Sequence, residues 1–186
     1  MRVVSEARGP DMHVMLDLET MDTSNHAAII SIGAVAFDRE KMLDEFYVTV
    51  SLHDSVFCGL TMGADTVLWW LKQSKKAIES FDDGRNMGLD DALYSFSDFC
   101  SSHAPRDEIF MWGNGSDFDN VILNNAYRLR DIQAPWVWRN NRCFRTVKSL
   151  DPSAVIRKGI HHNALDDAKT QAEHLIYCAK RLGAYL

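Results

Sequence analysis

No apolar run in the chain approaches the roughly 18 to 20 residues that a bilayer-spanning helix needs, which sets a membrane-spanning role aside. The 186 residues include only four cysteines, at 58, 100, 143 and 178. None stands in a Cys-x-x-Cys pair, so the spacing supports neither a zinc site nor a disulfide framework, and a cytoplasmic location is expected. Positive charge is also short: 20 lysines and arginines against 26 acids leave a net charge of −6. That balance argues against broad electrostatic adhesion to nucleic acid, while an enzyme that grips only a strand end is compatible with it. Internal repeats and low-complexity tracts are missing as well. Residues 1–11 lack the apolar stretch and cleavage site of a signal peptide. They precede a second methionine, Met12, and are expected to be a disordered extension, with a single domain over 12–186.

What the chain does have is a globular composition, 46% hydrophobic and 25% charged, and one apolar run that two acids interrupt. Val14-Met15-Leu16-Asp17-Leu18-Glu19-Thr20 reads as a buried strand. Residues i and i+2 of a strand share a face, so Asp17 and Glu19 project together. Two carboxylates in an apolar element lose hydration and repel each other. A divalent cation relieves both costs, and all-oxygen ligands favour magnesium or manganese; a strand end open to solvent is the plainer alternative.

The run 27–38 reads as a second strand and 45–50 as a third, joined by linkers short enough for an antiparallel meander. Residues 65–73 follow as a helix that carries adjacent tryptophans. Trp69 and Trp70 point about 100° apart, so one is expected in the core and the other as a platform for a base. Gln73, at i+3 from Trp70, is expected within reach of the same ligand. Helices are expected over 89–103, 118–130 and 164–182, the last stopped by Gly183. A buried strand is expected over 108–113, and a last strand or short helix over 146–150. Strands alternating with helices in this half predict parallel strands with crossover helices. Arg139, Arg142 and Arg145 form a basic stretch, read either as contacts to an upstream phosphate backbone or as a solvated face.

Two further stretches bear acids. Asp117 and Asp119 flank Phe118 where the strand gives way to a helix, and spacing alone does not choose between them. His162 precedes Asp167 by five residues, which sets the histidine and the helical acid to flank one ligand.

Taken in order, Asp17-x-Glu19, Phe118-Asp119 and His162-x-Ala164-x-x-Asp167 resemble the three exonuclease motifs of the DEDD superfamily, and the histidine marks its DEDDh branch. Leu16-Asp-Leu-Glu-Thr-Met21, then Ala27-Ala-Ile-Ile-Ser-Ile-Gly-Ala-Val35, resemble the phage and bacterial subgroup with T4-type exonuclease A and the mycobacterial exoribonuclease-like proteins. Trp69-Trp70-x-x-Gln73 and Trp112-Gly-Asn-Gly115 resemble it too. The likeness spans residues 13 to about 182. It implies an α/β, ribonuclease H-like fold, with a mixed five-stranded sheet whose first three strands are antiparallel. It implies that Asp17, Glu19, Asp119 and Asp167 bind two magnesium or manganese ions, and that His162 is the general base. Asp119 is thereby preferred to Asp117, Asp167 to Asp166, and His162 to His161. The activity implied is 3′-5′ exonucleolytic hydrolysis of single-stranded nucleic acid, DNA ahead of RNA, to nucleoside 5′-monophosphates. Leu18, Trp69, Trp70 and Gln73 are read as nucleotide-binding, and a homodimer is expected.

Overall fold

In a computed structural model of the chain, residues 12–79, 84–115, 117–151 and 159–183 are described. The expected extension 1–11 lies outside them. The sheet has five strands: β1 (Met12–Thr20), β2 (Ile29–Phe37), β3 (Met42–Thr49), β4 (Ile109–Gly113) and β5 (Asn141–Cys143), in the order β3-β2-β1-β4-β5. The first three form the antiparallel meander, and β4 and β5 join β1 in parallel. This is the mixed sheet the sequence predicts, flanked by helices.

Alternation along β1 sorts its side chains between two layers. Val14, Leu16 and Leu18 belong to the larger apolar cluster, with Leu93 and Phe96 of α4 (Leu89–His103) and Leu123 and Tyr127 of α5 (Asp119–Leu129). Met15, on the opposite face, packs with Ala168, Ala172 and Leu175 of α7 (Ala164–Leu182). Asp17 and Glu19 continue the Met15 row, so the two acids face the helix that carries Asp167.

That helix lies close to the sheet because of one residue. Gly33 is paired with Asp17 in the β1–β2 register, and a Cβ built on it would collide with the backbone of Ala164 and Leu165. The first turn of α7 therefore rests on bare strand. Asn163 caps the helix through its side chain, which accepts the Asp166 N–H at 3.1 Å, and Gly183 ends it in the left-handed conformation at φ 61°. Both ends obey the usual capping chemistry.

Several boundaries differ from the expectation. The tryptophan helix, α2, spans Ala64–Trp70 and stops there, short of Gln73. Short helices α1 (Leu52–Phe57) and α3 (Lys75–Glu79) flank it, with no apolar periodicity long enough to announce them. The stretch expected as a strand or helix over 146–150 is α6 (Phe144–Leu150), and β5 precedes it. A three-residue edge strand of Asn, Arg and Cys has no pattern of its own; pairing with β4 creates it.

Candidate active site

The site forms where β1 outruns β4. Their pairing covers Met12–Met15 against Ile109–Trp112, so beyond it the β1 backbone turns to other partners. The Leu18 N–H donates to Asp119 Oδ1 at 3.1 Å, and the Asn114 N–H donates to Asp119 Oδ2 at 3.1 Å. Asp119 opens α5, where the helix dipole also favours a carboxylate, and is 3% exposed. Gly113 leaves the room this needs, since a Cβ there would meet the Asn120 and Asp119 side chains. Asp117, two residues earlier, is exposed.

Asp167 is buried on the first turns of α7, and its Oδ2 accepts the His162 N–H at 3.3 Å. Asp166 points elsewhere and accepts the Ile160 N–H at 2.7 Å, which ties down the loop before the helix. His162 has φ of 63°. A non-glycine residue in the left-handed region is costly and is found where surroundings enforce it, often at functional sites. Its ring packs edge-on to Trp69 at 4.8 Å and Trp70 at 5.8 Å; His161 is exposed, its ring 3.7 Å from that of His162.

One ligand atom from each of Glu19, His162 and Asp167 lies within 4.8 Å of the others. Asp17 stands beside this group, part-buried, and its Oδ1 accepts a 2.7 Å hydrogen bond from Gln171 Nε2. Gln171 lies at i+4 from Asp167 on the same face of α7, a relation legible in the sequence once that face is known. Burial raises the Asp17 carboxyl well above its ordinary range, and repulsion from Asp119, Glu19 and Asp167 raises it further. Asp119 is pushed up to about 6, chiefly by burial; the backbone N–H groups of Leu18, Asn114 and Asp119 itself and the Arg145 charge oppose the shift. Four acids that share one site, with Asp17 and Asp119 both made harder to ionise there, are a donor set that fits hard divalent cations. The nearest histidine is part of the converging group.

Beside the acids a cleft of about 390 Å³ opens, lined on its apolar side by Leu18, Trp69, Trp70 and Phe118. Glu19 lies along it, and Thr23, Asp65 and Thr66 offer oxygen atoms, together with Asp22. Trp70 is 4% exposed, packs on Ile30 and Ala77, and donates Nε1–H to the Thr20 carbonyl at 2.9 Å. Trp69 is 40% exposed. The pair thus divides into a buried member and an open one. Gln73 does not line the cleft: α2 ends before it, helical spacing no longer applies, and its amide donates to the Trp69 carbonyl at 3.1 Å. Asp22 and Gln171 are site residues that sequence reasoning did not single out, and Phe118, read there only as the neighbour of Asp119, lines the cleft. Asp22 is held below the ordinary carboxylate range, first by the Thr61 hydroxyl at 2.5 Å, then by the Thr23 N–H and the Ser24 hydroxyl.

Solved nuclease structures share this fold. The nuclease domain of 3′hExo, a DEDDh family member bound to rAMP, superposes with a TM-score of 0.65 at 14% identity over 95% of each chain. Exonuclease I of E. coli in complex with a dT13 oligonucleotide gives 0.64 at 14% identity, over 93% of this chain and 42% of that one. Cell-death related nuclease 4 gives 0.54 at 14% identity, over 94% and 65%. No curated protein matches the chain in sequence. Fold and motifs together define a 3′-5′ exonuclease of the DEDDh class. Within it, the chain belongs to the Rv2179c-like 3′-5′ exoribonuclease domain family, whose sequence model matches residues 12–179.

Proposed function

We propose that the chain hydrolyses single-stranded RNA from its 3′ end, one nucleotide at a time, with DNA as the weaker substrate. The observation that carries the reading is the convergence of Glu19, His162 and Asp167 beside Asp17 and Asp119, at the mouth of an aromatic cleft. Two features put RNA first. The family is described as exoribonucleases, and Thr23, Asp65 and Thr66 in the cleft lining offer acceptors to a 2′-hydroxyl, the group by which proteins tell RNA from DNA.

Asp17, Glu19, Asp119 and Asp167 would hold two magnesium or manganese ions, whose charge would offset the acids toward an incoming phosphodiester and acidify the attacking water. The chain's own residues do the rest. Trp69 and Phe118 sandwich or border the terminal base, a contact every base can make. Trp70 serves from beneath, by fixing Trp69 and the Thr20 turn. His162 accepts the water proton; its strained backbone and its bond to Asp167 set where the ring stands. The phosphorus–O3′ bond of the preceding nucleotide breaks, leaving a 5′-monophosphate and a new 3′-hydroxyl. Gln171 holds Asp17 without adding charge.

The test is a time course on 5′-labelled RNA and DNA strands of matched sequence, with magnesium or manganese, an EDTA control and His162→Ala. The expected result is metal-dependent stepwise shortening from the 3′ end, faster on RNA and lost in the variant. Faster shortening of DNA reverses the sugar preference. No shortening of either strand points to a module that binds ends without cutting them.

A further inference from the structure

Between Asp131 and Asp151 the chain carries no acid, although 26 acids occupy the remainder. Arg139, Arg142, Arg145 and Lys148 recur there at every third position, headed by Trp138. Trp138, Arg139 and Arg142 play no part in the chemistry above. They lie in a 3₁₀ turn (Trp138–Asn140) and in β5, on the outer edge of the sheet.

Trp138 is 72% exposed, a large apolar area to leave in water. Trp136 shows that the same turn can bury an aromatic: it is 2% exposed and donates Nε1–H to Asn141 Oδ1 at 2.7 Å. The guanidinium of Arg139 stands 5.5 Å from the centre of the Trp138 ring. That of Arg142 stands 4.6 Å over Phe110, with Nη1 donating to the carbonyls of Arg139 and Asn141 at 3.1 and 3.0 Å. Among the described residues neither arginine takes part in an ion pair. Carbonyls and rings orient these cations, and no carboxylate of the described residues pairs with them.

The edge also leads to the site. Cys143 is paired with Gly113, the residue at which the chain turns toward Asp119. Arg145 follows two residues later, with Nη2 3.7 Å from where a Gly115 Cβ would stand. Trp138 lies at the other end, five residues before Cys143, in the turn that leads into β5.

We propose that this edge is a track for the upstream part of a single-stranded nucleic acid whose 3′ end occupies the cleft. Trp138 stacks on an upstream base, and Arg139 and Arg142 bind backbone phosphates. The inference rests on the exonuclease reading. Cations interleaved with an open aromatic suit an unstacked strand of any sequence. A β5 of three residues is too short to template a strand from a protein partner.

The test compares a trinucleotide with a ten-nucleotide strand sharing its 3′ sequence, using the full chain and its Trp138→Ala, Trp138→Phe and Arg142→Ala variants. The expected result is a KM at least fivefold lower for the longer strand. Trp138→Ala loses most of that gain and Trp138→Phe keeps it. Arg142→Ala loses part of it and flattens the salt dependence of KM. Trinucleotide kcat/KM stays unchanged throughout. Equal KM for both lengths in the unaltered chain, or a length gain that survives Trp138→Ala, overturns the track and leaves the exonuclease reading standing; a protein docked on this face would give that result. If neither strand is cut, anisotropy of the labelled ten-mer in EDTA decides. Weaker binding by Trp138→Ala supports the track, and equal binding overturns it.

Discussion

Gly33 and Ala164 meet backbone to backbone, with no side chain between strand β2 and the first turn of α7. Because Gly33 is also paired with Asp17, this contact sets how near the acids of β1 stand to Asp167. Gly33→Ala is expected to lift the helix start, at a cost of about 1–3 kcal/mol for the added methyl. Activity should fall at least tenfold at temperatures where the protein is still folded. Far-UV circular dichroism melts and initial rates check this; unchanged values in both would show that the helix yields freely.

Asp17 trades stability for function. Its carboxyl is raised in the folded protein, so the folded state binds a proton that the unfolded state has released, and ionisation costs stability as pH rises. Asp119, raised to about 6, acts in the same sense. The metal-free protein should therefore lose stability as pH climbs from about 4 through 6 and beyond. Asp17→Asn keeps an oxygen for Gln171 and removes the charge. Its Tm in EDTA at pH 7.5 should exceed that of the unaltered chain by a few degrees, at about 2–4 °C per kcal/mol. The gap should close toward pH 4, while turnover at pH 7.5 is nearly abolished. A lower Tm for the variant at pH 7.5 would contradict the origin assigned to the shift.

Divalent cations should restore what the acids cost. Magnesium or manganese at about 100 times its Kd stabilises by roughly 2.7 kcal/mol, a Tm rise on the order of 5–10 °C. EDTA should reverse it, and Asp167→Asn should lose it. Thermal melts with and without metal measure the effect independently of any substrate.

His162→Ala should slow turnover by roughly 10²–10⁴, the range typical of a lost general base. The metal-induced Tm rise should survive, because the acids hold the cations. Loss of that rise would instead make His162 a ligand, as its place in the converging group allows.

The two tryptophans should separate cleanly. Trp70→Ala removes a buried ring and its bond to Thr20, and about 3–5 kcal/mol of destabilisation is expected. Trp69→Ala should change stability by less than about 1 kcal/mol and raise KM for all bases alike. Denaturant melts and steady-state kinetics on the two variants check the division.

Much of this was legible in the chain. The alternation of apolar residues and acids in 14–20 announced β1 and the shared face of Asp17 and Glu19, because strand periodicity is a local property. The meander, the long helices and the Gly183 stop followed from the same kind of signal. Gln73 was misplaced because its reading assumed a helix that ends at Trp70. Strand β5 was missed because nothing but β4 makes its three residues a strand. Gln171 stands four residues after Asp167 and was not singled out, since an uncharged amide carries no chemistry until a carboxylate faces it.

Residue order by itself determined which groups are present and which face or helix turn each occupies. Local periodicity, caps and breakers depend only on near neighbours. The tertiary structure alone decided which of those groups meet. Asp17 and Gln171 are 154 positions apart, and the backbone N–H that steadies Asp119 belongs to Leu18, 101 positions away. Such contacts exist because β1 outruns β4 and because Gly33 admits α7, and both are consequences of packing that no single segment encodes.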